Sequence, residues 1–316
     1  MNVLVTGADG FVGGWLVRHL LERGDAVLGA IRMGATPPVL LTERERLAVQ
    51  WADFDLLSTE SVDWLATQRV DAVVHLAAIA SGSDARSDPG HAWAVNAAGT
   101  ARLAEAFGRQ VTRGDGDPVF LTVSTAEVYG HGTGAPRVET DPLVPCSPYA
   151  ASKVGAEVAA LEVHRRTKLR VVVARPFPHT GPRQSDKYVV PALALRLRAA
   201  RRVHAPAIKS GNLEVVRDFL DVRDVVAAYR LLVERATPGS AFNVASGVGR
   251  SLADVKDRLA KLLGFSPIAE YDPMLARSND LCHLVGDPSL LAQATGWAPR
   301  LSFDQTLSDL LDAQAD

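Results

Sequence analysis

Met1-Asn2-Val3-Leu4-Val5-Thr6-Gly7-Ala8-Asp9-Gly10-Phe11-Val12-Gly13 opens the chain. An apolar run, Val3–Val5, enters a turn with glycines at 7, 10 and 13, and a helical pattern, Val12–Arg23, leaves it. Glycines at this spacing let the backbone approach a pyrophosphate, and the free N–H groups of the helix N-terminus then meet the anion. A glycine pattern alone is weak, but a strand before it and a helix after it supply the required context. The stretch predicts a dinucleotide turn with contacts from Gly7, Gly10, Phe11, Val12 and Gly13.

The alternation continues downstream. Strands are predicted at Ala26–Ile31, Ala48–Trp51, Ala72–Leu76, Val119–Val123 and Val171–Ala174, and helices at Ser58–Thr67, His91–Arg113 and Pro148–Arg166. Most of the strand runs are continuously apolar, as strands covered on both faces are. Alternation of this kind gives an α/β fold, a doubly wound parallel sheet of the Rossmann type. The second half is less regular. Tyr188–Arg202, Val222–Arg235, Leu252–Leu263 and Ser302–Asp312 read as helices, and Arg217–Val222 and Phe242–Val244 as extended. The predicted division is a dinucleotide-binding unit, 1–175 with 219–245 returning to it, and a smaller C-terminal lobe, 176–218 and 246–316.

The 316 residues carry 34 Lys plus Arg against 36 Asp plus Glu, a formal net charge of −2. That balance argues against a nucleic-acid partner, which would bring a basic excess. Two cysteines exclude a disulfide framework and fit a reducing compartment. The eight histidines show no metal-ligand spacing, so no metal is assigned. No run reaches the ~20 apolar residues of a membrane span, and the start reads as a strand rather than a signal peptide. A cytoplasmic location is expected.

The end of the second strand selects the cofactor. An NAD site wants a carboxylate about 20 residues past the glycines to hold the ribose hydroxyls. Here the chain reads Leu28-Gly29-Ala30-Ile31-Arg32-Met33. Arg32 suits a 2′-phosphate, so NADP(H) is favoured over NAD(H). Topology adds Asp55 and Leu56 after the third strand and Leu76, Ala77 and Ala78 after the fourth.

The sharpest catalytic pattern is Tyr149-Ala150-Ala151-Ser152-Lys153, preceded by a Ser147-Pro148 helix start. Tyr149 and Lys153 then share one helix face. An ammonium beside a phenol should lower its pKa from about 10 and fit it for proton transfer. Val119–Val123 leads to Ser124, Thr125 and Glu127 at the sheet edge where open α/β folds bind ligands. Thr125 can share a substrate oxygen with Tyr149, and Glu127 is a candidate base. Gly130-His131-Gly132-Thr133-Gly134 reads as a lid.

Together these pieces resemble the extended short-chain dehydrogenase/reductase family, the nucleotide-sugar epimerases, dehydratases and reductases. The matching segments are Thr6–Gly13, Leu76–Ala78, Asn96 with Gly99-Thr100, Ser124–Gly130, Tyr149–Lys153 and Ala174–Phe177, in the family's order across nearly the whole chain. Arg175–Pro182, Gly211–Phe219, Arg277–Asp280, Leu284–Pro288 and Thr295–Trp297 look most like GDP-4-keto-6-deoxy-D-mannose reductases, the makers of GDP-D-rhamnose. Two positions depart from that pattern: Pro178 stands where an Asn is usual, and Arg277-Ser278-Asn279-Asp280 replaces Arg-Pro-Ser-Asp.

The resemblance implies a nucleotide-sugar lobe, further cofactor contacts from Asn96, Tyr149, Lys153 and Pro176, and substrate contacts from Thr125, Glu127, Pro178, His179, Val190, Arg217 and Arg277. Guanidinium groups suit a diphosphate, which agrees for Arg217 and Arg277. It also implies a homodimer built through His91–Arg113 and Pro148–Arg166. The expected activity is reduction of a 4-keto group on a nucleotide-linked 6-deoxyhexose. The alternatives are a 4,6-dehydratase, which Glu127 would serve, a 4-epimerase, and a non-catalytic NADP-binding regulator.

Overall fold

The computed structural model describes residues 1–132, 134–276 and 281–314. Seven strands form one sheet: β1 (Asn2–Thr6), β2 (Ala26–Arg32), β3 (Gln50–Phe54), β4 (Ala72–His75), β5 (Val119–Val123), β6 (Arg170–Pro176) and β7 (Ala241–Val244). Their order is β7-β6-β5-β4-β1-β2-β3, and every pairing is parallel. The order reverses between β1 and β4, which opens a crevice at the carboxyl ends of the strands.

Period-2 side-chain alternation splits the sheet's apolar residues between two cores. Val3, Val5, Leu121, Val172 and Ala174 enter one core, and Leu4, Phe120 and Val171 the other. Helices α1 (Phe11–Glu22) and α6 (Val222–Arg235) supply Leu16, Val17, Leu20, Val225, Tyr229 and Leu232 to the first. Helices α2 (Thr59–Thr67), α3 (Thr100–Arg113) and α4 (Pro148–Thr167) supply Val62, Leu65, Leu103, Phe107, Ala160 and Val163 to the second. This is the doubly wound fold expected from the alternation. Helix α6 and strand β7 lie in the sheet unit although they follow lobe segments in sequence.

The lobe is small and mixed. Helices α5 (Val189–Arg202), α7 (Leu252–Leu263) and α8 (Phe303–Ala313) bury Leu193, Leu197, Val255, Leu259, Leu307 and Leu310 against one another. Short strands rim them. Val216–Asp218 pairs antiparallel with Gly249–Ser251 and parallel with His283–Leu284, and Ala207–Ser210 pairs with Ile268–Tyr271. Buried Asp218 fastens the crossing by accepting bonds from Ser246 N and Oγ, Gly247 N and Gly286 N. No helix among the described residues is long and apolar enough to cross a membrane.

Two expected elements differ. The third strand runs over Gln50–Phe54 rather than Ala48–Trp51, because a Thr42–Glu45 capping box starts a helix, Glu43–Leu47, that ends on Ala48. The helix expected over His91–Arg113 is three pieces, Pro89–Trp93, a π-helical Ala94–Gly99 and α3. A Cβ on Gly99 would meet Leu56 Cγ at 2.6 Å, and Asn96 within the π-turn is bonded to other segments. Such π-turns are frequent at functional sites.

Candidate active site

A cleft of about 980 Å³ lies between the carboxyl ends of the strands and the lobe. Gly7, Gly10, Phe11, Val12 and Gly13 line one end of it. Gly7 has φ +69°, and a Cβ there would stand 2.8 Å from Ala77 N. A Cβ on Gly13 would stand 2.2 Å from Gly7 O, so only glycine lets α1 pack under the turn. The N-cap of α1 is Gly10, with no side-chain cap and no acid in the first turn. By contrast, α4 and α6 are capped by Ser147 and Asp221. The first turn of α1 therefore turns uncapped N–H groups and the positive end of its dipole toward the cleft, which fits a pyrophosphate.

Arg32, Asp55, Leu56, Leu76, Ala77 and Ala78 also line the cleft. Arg32 is 86% exposed and its Nε donates to Asp9 Oδ2 at 2.9 Å. Asp9 is the acid of the glycine turn, and this bond ties the turn to the end of β2. The Asp55 carboxylate is engaged by Leu57 N at 2.9 Å. Asn96 does not line the cleft. It is buried, accepts from Ile79 N, and donates to Ile79 O and to Ser152 Oγ. Ser152 in turn donates to Tyr149 O, so Asn96 ties a cleft loop to the helix of Tyr149.

Farther along the same carboxyl edge of the sheet the structure gathers Thr125, Glu127, Tyr149 and Lys153. Ser147 caps α4 by accepting from Ala150 N, and Pro148 fills its first turn. Thr125, just past β5, lines the cleft with Tyr149, and its hydroxyl favours the ionised phenol. The expected lowering of the phenol's pKa by Lys153 is overturned. Burial first, then the charge of Glu127, hold Tyr149 above its ordinary value, with the Thr125 hydroxyl opposing them. Lys153 is 5% exposed, and burial brings its ammonium down to about 8 while Glu157 opposes the fall. The site thus holds a neutral phenol beside a readily titrated ammonium.

Behind these groups lies a buried ionic network that the sequence reading missed. Glu157, one turn beyond Lys153, accepts from Ser124 Oγ and from Arg175 Nε and Nη2, the latter two at 3.1 and 2.8 Å. Arg175 also donates to Tyr129 Oη and Glu139 O, each at 3.0 Å. Tyr129 donates to Asn243 Oδ1 at 2.7 Å. The network joins β5, β6, β7 and α4. The signal for it was present, since Tyr149, Lys153 and Glu157 recur at four-residue intervals.

Pro176, Pro178, His179, Val190 and Arg217 line the lobe side of the cleft. Burial holds His179 below its ordinary value. Neutral, with Nδ1–H donating to Phe177 O at 3.0 Å, it keeps Nε2 as an acceptor. Arg217 Nη1 donates to Val216 O and Leu281 O. Arg277 lies outside the described residues. Helix α5 begins at the cleft without a side-chain cap, and its Arg196 lines the same wall. The expected lid, where described, does not line the cleft. Arg137 Nη2 pins its base by donating to Tyr129 O, Gly130 O and His131 O. Among the described residues no group of three His, Cys, Asp or Glu is placed to hold a metal.

Comparison with known proteins places this geometry in context. The sequence profile described as GDP-mannose 4,6 dehydratase matches residues 4–310. The chain is 33% identical to GDP-6-deoxy-D-mannose reductase of Pseudomonas aeruginosa, over 98% of this chain and 96% of that protein. The structure of RMD from Pseudomonas aeruginosa complexed with NADPH superposes with TM-score 0.82 and 30% identity, covering 99% of this chain and 98% of the other. Thermus thermophilus UDP-glucose 4-epimerase in complex with NAD superposes with TM-score 0.85 and 29% identity, over 99% and 98%.

Proposed function

The chain belongs to the GDP-mannose 4,6 dehydratase family, whose members are NAD(P)-dependent nucleotide-sugar enzymes, and on that premise we propose that it is a reductase. Its substrate is a nucleotide-linked 4-keto-6-deoxyhexose, GDP-4-keto-6-deoxy-D-mannose, and its product GDP-D-rhamnose. The carrying observation is the phenol of Tyr149, kept neutral in a cleft that Thr125 and Lys153 also line. Reduction of a ketone needs a proton donor where an alkoxide develops, and a neutral phenol is one.

The bound dinucleotide supplies the hydride. Tyr149 gives its proton to the O4 oxygen, Thr125 orients that oxygen, and the Lys153 ammonium stabilises the phenolate that remains. Glu127 positions a sugar hydroxyl. Arg217, Arg277, Arg196 and the N-terminus of α5 hold the diphosphate. The presence of Glu127 beside Tyr149 in the cleft also favours a second reading, a 4,6-dehydratase. Incubation with GDP-4-keto-6-deoxy-mannose and NADPH separates them. Reductase activity consumes NADPH and forms a 6-deoxyhexose. A dehydratase instead converts GDP-mannose with no net loss of cofactor.

NADPH is the proposed cofactor, because Arg32 stands where a carboxylate would select NAD. Arg32→Ala is expected to weaken NADPH about tenfold, the share of one exposed charge-assisted contact, while NADH changes little. Fluorescence titration reads both. A homodimer is proposed through the 91–113 segment and α4, whose shared face carries exposed Trp93, from the Pro89–Trp93 helical turn, and Val158 between Arg102, Glu105, Glu162 and Arg166. Val158→Lys should leave a monomer in analytical ultracentrifugation, with an unchanged far-ultraviolet spectrum.

A further inference from the structure

Tyr229 stands in the middle of α6, and its side chain is fully buried. Its ring packs in the core layer that includes Val5, Ala174 and Val244, against which Val12, Leu76 and Val123 also rest. Its hydroxyl is sealed from solvent and has no hydrogen-bond partner among the described residues. Buried hydroxyls are nearly always satisfied, so an orphan calls for a reason.

The position supplies one. Tyr229 lines the cleft, with the glycine turn, Leu76, Val123 and Pro176 as fellow lining residues. The other described side chains with an orphaned buried atom are Arg46, Gln110, Arg170, Arg250 and Gln314, and none of them lines it. Tyr149 lies close enough to Tyr229 to couple to it, and Leu76, Val123 and Pro176 line the cleft with both, which puts the ring toward the catalytic rather than the adenine end. Burial holds the hydroxyl well above the ordinary phenol value, so it stays protonated and remains a donor. Phenylalanine would fill the same apolar space. The oxygen gains nothing inside the protein and has only the cleft to serve.

We infer that the Tyr229 hydroxyl is a binding group for the bound dinucleotide, donating a hydrogen bond to an acceptor on its nicotinamide half. The inference rests on the proposal that the cleft takes NADPH. It makes Tyr229 part of the site although it belongs to a helix that otherwise serves the core.

The test is Tyr229→Phe, which removes one oxygen and keeps the ring. Three readouts are taken on purified protein: the ligand-free melting temperature, the Kd of NADPH, and the Kd of adenosine 2′,5′-bisphosphate, which lacks the nicotinamide half. The expected result is a melting temperature unchanged or raised, NADPH weakened five- to thirtyfold, and the fragment bound as before. An NADPH Kd equal to wild type overturns the inference. So does a lowered melting temperature with both ligands weakened in parallel, which would mark the hydroxyl as structural. Wild-type protein that binds neither NADPH nor NADH overturns the cofactor proposal as well, a failure visible before the variant is made.

Discussion

Tyr149→Phe is expected to cut reduction of the 4-keto sugar by roughly a thousandfold, within the range of 10²–10⁴ that a positioned general acid contributes. Phenylalanine keeps the ring but has no proton for the developing alkoxide. The binding elements lie elsewhere, in the glycine turn and the arginines, so the Kd for NADPH should move little. Single-turnover kinetics read the first quantity and titration the second. The same site predicts the alkaline limb of the wild-type profile. Lys153 loses its proton near pH 8, well below its ordinary value. The charged form, present below that pH, stabilises the phenolate left after proton transfer. Hence kcat/KM should fall as the pH rises through about 8, and Lys153→Met should lose this limb together with most of its rate.

Arg175→Met is expected to cost ~3–5 kcal/mol of folding stability, the usual cost of leaving one member of a buried ion pair alone. Arg175 and Glu157 are 7% and 3% exposed, so water cannot replace the lost partner. Urea unfolding of wild type and variant measures the loss. Replacing both residues, with Glu157→Leu added, should recover much of the loss. The single variant should also impair turnover, because Ser124, the residue before Thr125, is held by Glu157.

Much of this architecture is legible in local sequence. Asp221 and Ser251 cap helices that begin at the next residue, Val222 and Leu252, and the apolar periodicity carries each to its end. The glycine turn and the Tyr149–Lys153 spacing bring their residues to one cleft. What escaped was set by long-range packing. Strand β3 is at the sheet edge and only Phe54 in it is buried, so its apolar signal was weak beside Ala48 and Val49. The lobe strands are two to four residues long and find partners dozens of residues away. Spacing put an ammonium near Tyr149, but spacing carries no information on burial or on Glu127 arriving from β5, and those two decide the phenol's protonation. Nothing in the Val222–Arg235 helical pattern sets Tyr229 apart, since periodicity cannot show an unpaired hydroxyl. Asn96 matched a family segment yet serves the loop behind the site.

The most direct test of the central claim is hydride transfer itself. Wild-type protein is given GDP-4-keto-6-deoxy-mannose and NADPH carrying deuterium at nicotinamide C4, first on one face and then on the other. The account predicts NADPH oxidation equal to product formed, with deuterium from one of the two labelled cofactors at C4 of a GDP-6-deoxyhexose. Turnover of sugar without cofactor oxidation, or product with no deuterium at C4 from either cofactor, would contradict it.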